Sequence, residues 1–248
     1  MAANPAGITA VVLTDQDWGC DFDKYTFPEL REDIKLCHVK VSDLRKIALK
    51  LTEKVLDTSW MTSLDVGPQN AYRFTANETA QLLVQVFEEA SGKNEIVSEF
   101  GELMVSMGAG RALEASFQHN PLPIAELWKP QKKQNEGFDF HTCCMSDFVN
   151  FGEAKFSSNM NAHGSALEQI MRFVDEEKHL RDYVHLVNLS SPASIVNLNS
   201  QVFGVVAAFS INSKNPLNIF QNALAKAYEL IDSGRATVVY LVGVSCEG

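Results

Sequence analysis

Two apolar runs near the C-terminus, at 202–211 and 237–244, are separated by a helix-length segment that opens at Pro216 and closes before Gly234. Proline suits the first turn of a helix, where amides lack intrahelical acceptors, and glycine suits the position just past the end. Both runs are apolar at consecutive positions, the pattern of a strand covered on both faces. Covered strands alternating with a helix indicate an α/β sheet with covered faces, so the chain is expected to fold as an α/β sheet flanked by helices.

Earlier segments are read by the same rules. Leu44, Ile47, Leu51 and Val55 recur at helical spacing and predict an amphipathic helix ending before Thr58. Thr75 and Glu78 have capping-box spacing, so a second helix is expected from Thr75 to Gly92. A third covers about 95–107, with Phe100, Leu103 and Met107 on one face and Gly108 and Gly110 marking its end. Residues 8–13 read as a strand followed by an acidic loop at 15–23, and 122–128, 137–144, 148–156 and 183–189 read as further strands. Ser165 and Glu168 again have capping-box spacing and open a helix that buries Leu167, Ile170, Met171 and Val174. The pattern divides the chain into a small, mostly helical N-terminal subdomain over 1–92, a scaffold or partner-binding unit, and a second unit over 93–248.

Composition narrows the function. At 248 residues and 46% hydrophobic, the chain can bury a full core. No run approaches the ~18 consecutive apolar residues of a membrane span, and the first ten residues lack the features of a secretory signal, so a cytoplasmic address is expected. Five cysteines, an odd number without C-x-x-C spacing, suggest neither a disulfide framework nor a structural zinc site. No glycine-rich phosphate loop is present, so the chain is not itself a nucleotide-driven motor. A formal charge of −10 argues against unaided, tight, non-specific DNA binding. A local basic strip, a bound divalent metal or a partner chain would have to offset it.

The chemistry-bearing constellation lies in the two strands at 137–156. Side chains alternate along a strand, so Glu153 and Lys155 share a face, about 7 Å apart at their Cα atoms. If Met145, Ser146 and Asp147 form a three-residue hairpin loop, Cys144 pairs with Phe148 and Asp139 falls opposite Glu153. Opposed side chains have Cβ atoms about 4.5–5.5 Å apart, close enough for two carboxylates to grip one hard cation. A slip of one residue would put Asp139 on the other face. Two carboxylates with water suit Mg²⁺, with Mn²⁺ as a substitute, and Lys155 would place a fixed cation beside the reacting phosphate. A solvated Glu-Lys pair would be worth under ~1 kcal/mol, but GEAKF is flanked by apolar residues.

GFDF, GEAKF and the capped helix that follows resemble the PD-(D/E)xK nuclease superfamily. More narrowly, SEFGELM, GFDFHT and FGEAKFS are similar to the HamA family, nuclease subunits of the Hachiman anti-phage defence system that work with a helicase partner. The resemblance is clearest over 95–190. It implies a restriction-endonuclease-like fold, with 93–248 as the nuclease core. It also implies a bacterial, Mg²⁺-dependent deoxyribonuclease controlled by a HamB-like helicase subunit. Position by position, Asp139 matches the metal-binding aspartate, Glu153 and Lys155 the glutamate–lysine pair, and Glu102 the helix glutamate, with Glu99 as its neighbouring alternative. Gln169 stands where the family often has a polar helix residue. Lys129, Lys132 and Lys133 are candidate phosphate contacts, and His141, two positions past Asp139, is a candidate for supporting the site. The alternative is a nuclease-fold adaptor or inhibitory subunit of a helicase complex, a reading the acidic charge favours.

Overall fold

The structure, a computed structural model, describes residues 7–93, 96, 98–129, 137–157 and 161–246. Thr9–Asp15 (β1), Cys20–Thr26 (β2) and Ile34–Val41 (β3) form an antiparallel meander. The expected acidic loop at 15–23 is thus partly a strand. Its charges, Asp21, Asp23 and Lys24, hide the alternation by which Cys20 and Phe22 reach the core.

Helix α1 (Leu44–Leu56) buries Ile47, Leu51 and Val55 as expected and is capped by Asp43, whose carboxylate accepts the amides of Arg45 and Lys46. Helix α2 (Val66–Lys93) begins nine residues before Thr75. Its buried stripe of Tyr72, Ala76, Ala80, Leu83 and Phe87 crosses the supposed cap, so packing overrides the capping-box spacing. Helix α3 (Ser98–Phe117) likewise runs through Gly108 and Gly110, both buried, and ends where Gln118 turns left-handed at φ 58°. There the His119 amide reaches back to the Leu113 carbonyl at 3.2 Å.

The stretch 122–128, expected as a strand, makes a short 3₁₀ turn at Ala125–Leu127 after a two-residue strand, β4 (Asn120–Pro121). Pro121 and Pro123 remove the amides a ladder would need. Then come β5 (Phe140–Cys143), β6 (Val149–Lys155) and α4 (Ala162–Asp175), the last capped by Asn161 in place of Ser165. Residues 183–189 are helical, not a strand: α5 (Lys178–Arg181), α6 (Tyr183–Leu189) and α7 (Pro192–Asn199) follow one another, with Leu186 buried while Val184 and Val187 face outward. The chain closes with β7 (Gly204–Ser210), α8 (Pro216–Asp232) and β8 (Val238–Cys246), the expected strand, helix and strand, and β7 and β8 pair in parallel.

The strands form one mixed sheet in the order β1-β2-β3-β8-β7-β6-β5-β4, parallel from β3 through β6 and antiparallel outside. It is continuous across residues 92 and 93, because β3 pairs with β8. Alternate residues of β7 and β8 feed two cores. Val206, Ala208 and Val242 meet α1, α2 and α3 on one face, and Val205, Ala207 and Leu241 meet α4 and α8 on the other. The molecule is therefore α/β, with a mixed eight-stranded sheet flanked by helices.

Candidate active site

The β5–β6 hairpin has the expected loop and register. The Cys144 amide donates to the Phe148 carbonyl at 3.1 Å, and Asp147 supplies the left-handed residue at φ 56°. Phe140 pairs with Gly152, His141 with Phe151, and Cys143 with Val149. The aromatic ring of Phe140 lies over Gly152, where a Cβ would sit 2.4 Å from it.

At Asp139 the ladder departs from the simple register. The Asp139 amide donates to the Gly152 carbonyl at 2.9 Å, although Phe140 is already the partner of Gly152. Two residues thus face one, a β-bulge, and Asp139 is not squarely opposite Glu153. The cause is apolar: Phe138 packs into the core under α4 while Phe140 packs into the core under α3, so the intervening residue cannot keep the alternation. The bulge re-aims the Asp139 side chain, whose Oδ2 accepts the Ala154 amide at 2.7 Å. In an unbroken ladder that amide would meet the Phe138 carbonyl, which here accepts from Lys129 Nζ at 2.9 Å.

Asp139 opens into a cavity of about 150 Å³ between α3, the 3₁₀ turn and the C-terminal end of β6. Its polar lining comprises Glu99, Glu102, Ser106, Glu126, Asp139 and Lys155. Glu99 and Glu102, the two alternatives for the helix glutamate, lie three apart on α3 and both line it. Close approach of helix and strand depends on Gly101, where a Cβ would lie 2.4 Å from the Phe156 ring. Glu153 is fully buried and is not itself among the residues lining the cavity: Oε1 accepts Lys155 Nζ at 2.6 Å, and Oε2 has no hydrogen-bond partner among the described residues.

The carboxyls compete for protons. Burial, together with Glu102, pushes Asp139 up to about 6 against the Ala154 amide and Lys155. Burial and then Asp139 push Glu126 up to about 7, and the same two causes hold Glu153 well above the usual carboxylate range. For Lys155, burial alone would lower the pKa, but Glu153 outweighs it and the ammonium is held above its ordinary value. The site is therefore short of positive charge. Hard oxygen donors, mutual repulsion and a buried, unpartnered Glu153 Oε2 are the chemistry a divalent cation would satisfy. Among the described residues no three His, Cys, Asp or Glu side chains already converge as a ligand set, so binding would require the long Glu102 or Glu126 side chain to swing.

Other expected site residues have different surroundings. Lys129 does not project into solvent as a phosphate contact: its Nζ is held by both Asp182 oxygens, each at 2.8 Å, and by the Phe138 carbonyl. Lys132 and Lys133 lie outside the described residues. His141 is fully buried, and its Nε2 meets Asp182 Oδ2 at 2.9 Å. Burial lowers the His141 pKa, so the ring is neutral and donates to the carboxylate. Gln169 is half-buried on α4, which packs against β6 and β7, away from the cavity lining.

Sequence reasoning missed Glu126 and Asp182. Glu126 is the single acid in the apolar stretch Leu-Pro-Ile-Ala-Glu-Leu-Trp, a signal masked by reading that stretch as a strand. Asp182 sits between a supposed helix and a supposed strand; burial alone would raise its pKa, but contacts from His141 and Lys129 hold it below the usual range. No family model matches the chain, and no curated protein or solved structure matches it either.

Proposed function

We propose that this chain is a metal-dependent deoxyribonuclease of the PD-(D/E)xK type, with a restriction-endonuclease-like core. In this reading it acts as the HamA-like effector of an anti-phage defence complex whose HamB-like helicase subunit controls it. One observation carries the proposal. The bulge delivers the carboxylate of Asp139 to the backbone of the strand that bears Glu153 and Lys155, beside two glutamates of α3.

Asp139 and Glu153, with Glu102 or Glu126, would hold Mg²⁺ or Mn²⁺. When bound, such an ion neutralises charge on a phosphate and acidifies a coordinated water. Lys155, 26% exposed and anchored by Glu153, keeps a cation at the cavity wall where a phosphodiester oxygen would gain negative charge. Phe156, packed on Gly101, puts an apolar ring next to Lys155 in the chain. The −10 charge and the sequestration of Lys129 leave DNA affinity to the helicase partner.

The same two facts favour the second reading, a catalytically silent adaptor. Plasmid and linear DNA incubated with Mg²⁺ and the chain, alone and with its partner, separate the two. Cutting that disappears in Glu153→Ala and Lys155→Ala supports the nuclease. A complex that still protects cells with Asp139 and Glu153 both changed to Ala supports the adaptor.

A further inference from the structure

Asp182 holds the Asp139 segment by two routes. One oxygen pair grips Lys129 Nζ at 2.8 Å, and the same lysine takes the Phe138 carbonyl at 2.9 Å. His141, two residues on the other side of Asp139, donates from Nε2 to Asp182 at 2.9 Å. The flanks of the bulge are therefore tied to one buried carboxylate. Asp182 is itself fixed, since its carbonyl accepts the amides of His185 and Leu186 at 3.0 and 2.9 Å at the start of α6.

We infer that Asp182, acting through Lys129, is a positioning residue for Asp139: the clamp withdraws the Phe138 carbonyl from the ladder and leaves the Ala154 amide for the Asp139 carboxylate. Without Lys129, the Phe138 carbonyl loses its donor, the flank of the bulge is released, and Asp139 no longer holds the Ala154 amide at the cavity. Trp128 stacks near both ends of the device, over Lys129 at 5.2 Å and beside His141 at 5.3 Å, and keeps water from dissolving the ion pair. The clamp as a feature of the fold stands by itself, whereas its value for catalysis rests on the nuclease reading.

Amide exchange of the metal-free protein, followed residue by residue by NMR, tests it. Asp182→Ala is expected to accelerate exchange of the Ala154 amide at least tenfold, with Val205 and Val239 in the same sheet unchanged. Asp182→Asn keeps an acceptor for Lys129 and should retain most of the protection. Second-sphere groups typically change metal affinity 10–100-fold, so calorimetric Mn²⁺ binding should weaken by that range in Asp182→Ala and far less in Asp182→Asn. If Asp182→Ala does not fold, Lys129→Met is read in its place and should give the same exchange result. An Ala154 amide as protected in these variants as in the wild type overturns the inference, as does acceleration spread evenly over the sheet. Wild-type protein that binds no Mn²⁺ and cuts no DNA sinks the nuclease reading instead, and the exchange result still decides the clamp.

Discussion

Replacing Asp139 with Asn tests whether the site is destabilised by its own charges. Burial, with Glu102 adding, lifts the Asp139 carboxyl from 3.8 to about 6. At roughly 1.4 kcal/mol per decade of proton affinity, the ionised form is disfavoured in the folded chain by about 3 kcal/mol. A group whose folded pKa lies above its unfolded one contributes stability that is complete below the unfolded value and is lost as pH rises through the folded value. For Asp139 that window runs from 3.8 to about 6. The wild type therefore loses up to about 3 kcal/mol across it from this group, and the Asp139→Asn variant loses none. Asn accepts the Ala154 amide through a neutral bond, as the protonated acid does, and the gain from the charged bond is already contained in the shift. Metal-free urea unfolding should find the variant about 3 kcal/mol more stable than the wild type at pH 7.5 and about as stable at pH 4, with equal slopes. Mg²⁺ added at pH 7.5 should narrow the gap, because an ion bound by the folded wild type stabilises it by mass action. Midpoints that move in parallel with pH, or a gap widest at pH 4, would refute the electrostatic account.

Lys155→Ala should abolish DNA cleavage in the reconstituted complex, by at least about 100-fold, since removing one preorganised stabilising group typically has that effect. The same change should raise the proton affinity of Glu153, which loses its 2.6 Å partner, and this would be visible as a carboxyl titration moving to higher pH by NMR or infrared spectroscopy. Gly101→Ala forces a Cβ to within 2.4 Å of the Phe156 ring and should lower stability by about 1–3 kcal/mol, read as a drop in urea midpoint, while pushing α3 and its glutamates off the cavity. Asn161→Ala removes the acceptor of the Gly164 amide at the start of α4, 3.2 Å away. It should lose about 1 kcal/mol in thermal or urea unfolding and leave Mn²⁺ binding unchanged.

How much of this was readable in the residues depends on the range of the forces involved. The βαβ unit and the β5–β6 hairpin were legible because they rest on local rules: Pro216 and Gly234 bracket α8, and a three-residue loop with a left-handed Asp147 fixes the register. Where tertiary packing decides, local signals misled. Thr75 looks like a cap but lies under a stripe continuing from Tyr72; Gly108 and Gly110 look like a stop but are buried in a helix that runs on to Phe117. The helical 183–189 segment shows the same limit, since its apolar residues are divided between core and surface by neighbours distant in sequence.

The candidate site sits on the border between the two regimes. Glu153 and Lys155 follow from strand period alone, and their 2.6 Å contact needs nothing beyond β6. Asp139 does not, because its aim is set by which core takes each flanking phenylalanine. Phe138 and Phe140 make the segment read as an ordinary strand, yet their burial on opposite faces is what breaks the alternation and turns the carboxylate toward α3. A bulge so formed leaves a carbonyl without its ladder partner, and in a buried position that group needs another donor. Lys129 is that donor, and Asp182 holds the lysine in place. The acid that sequence patterning could identify is therefore held by a lysine it assigned to DNA and by an aspartate it passed over.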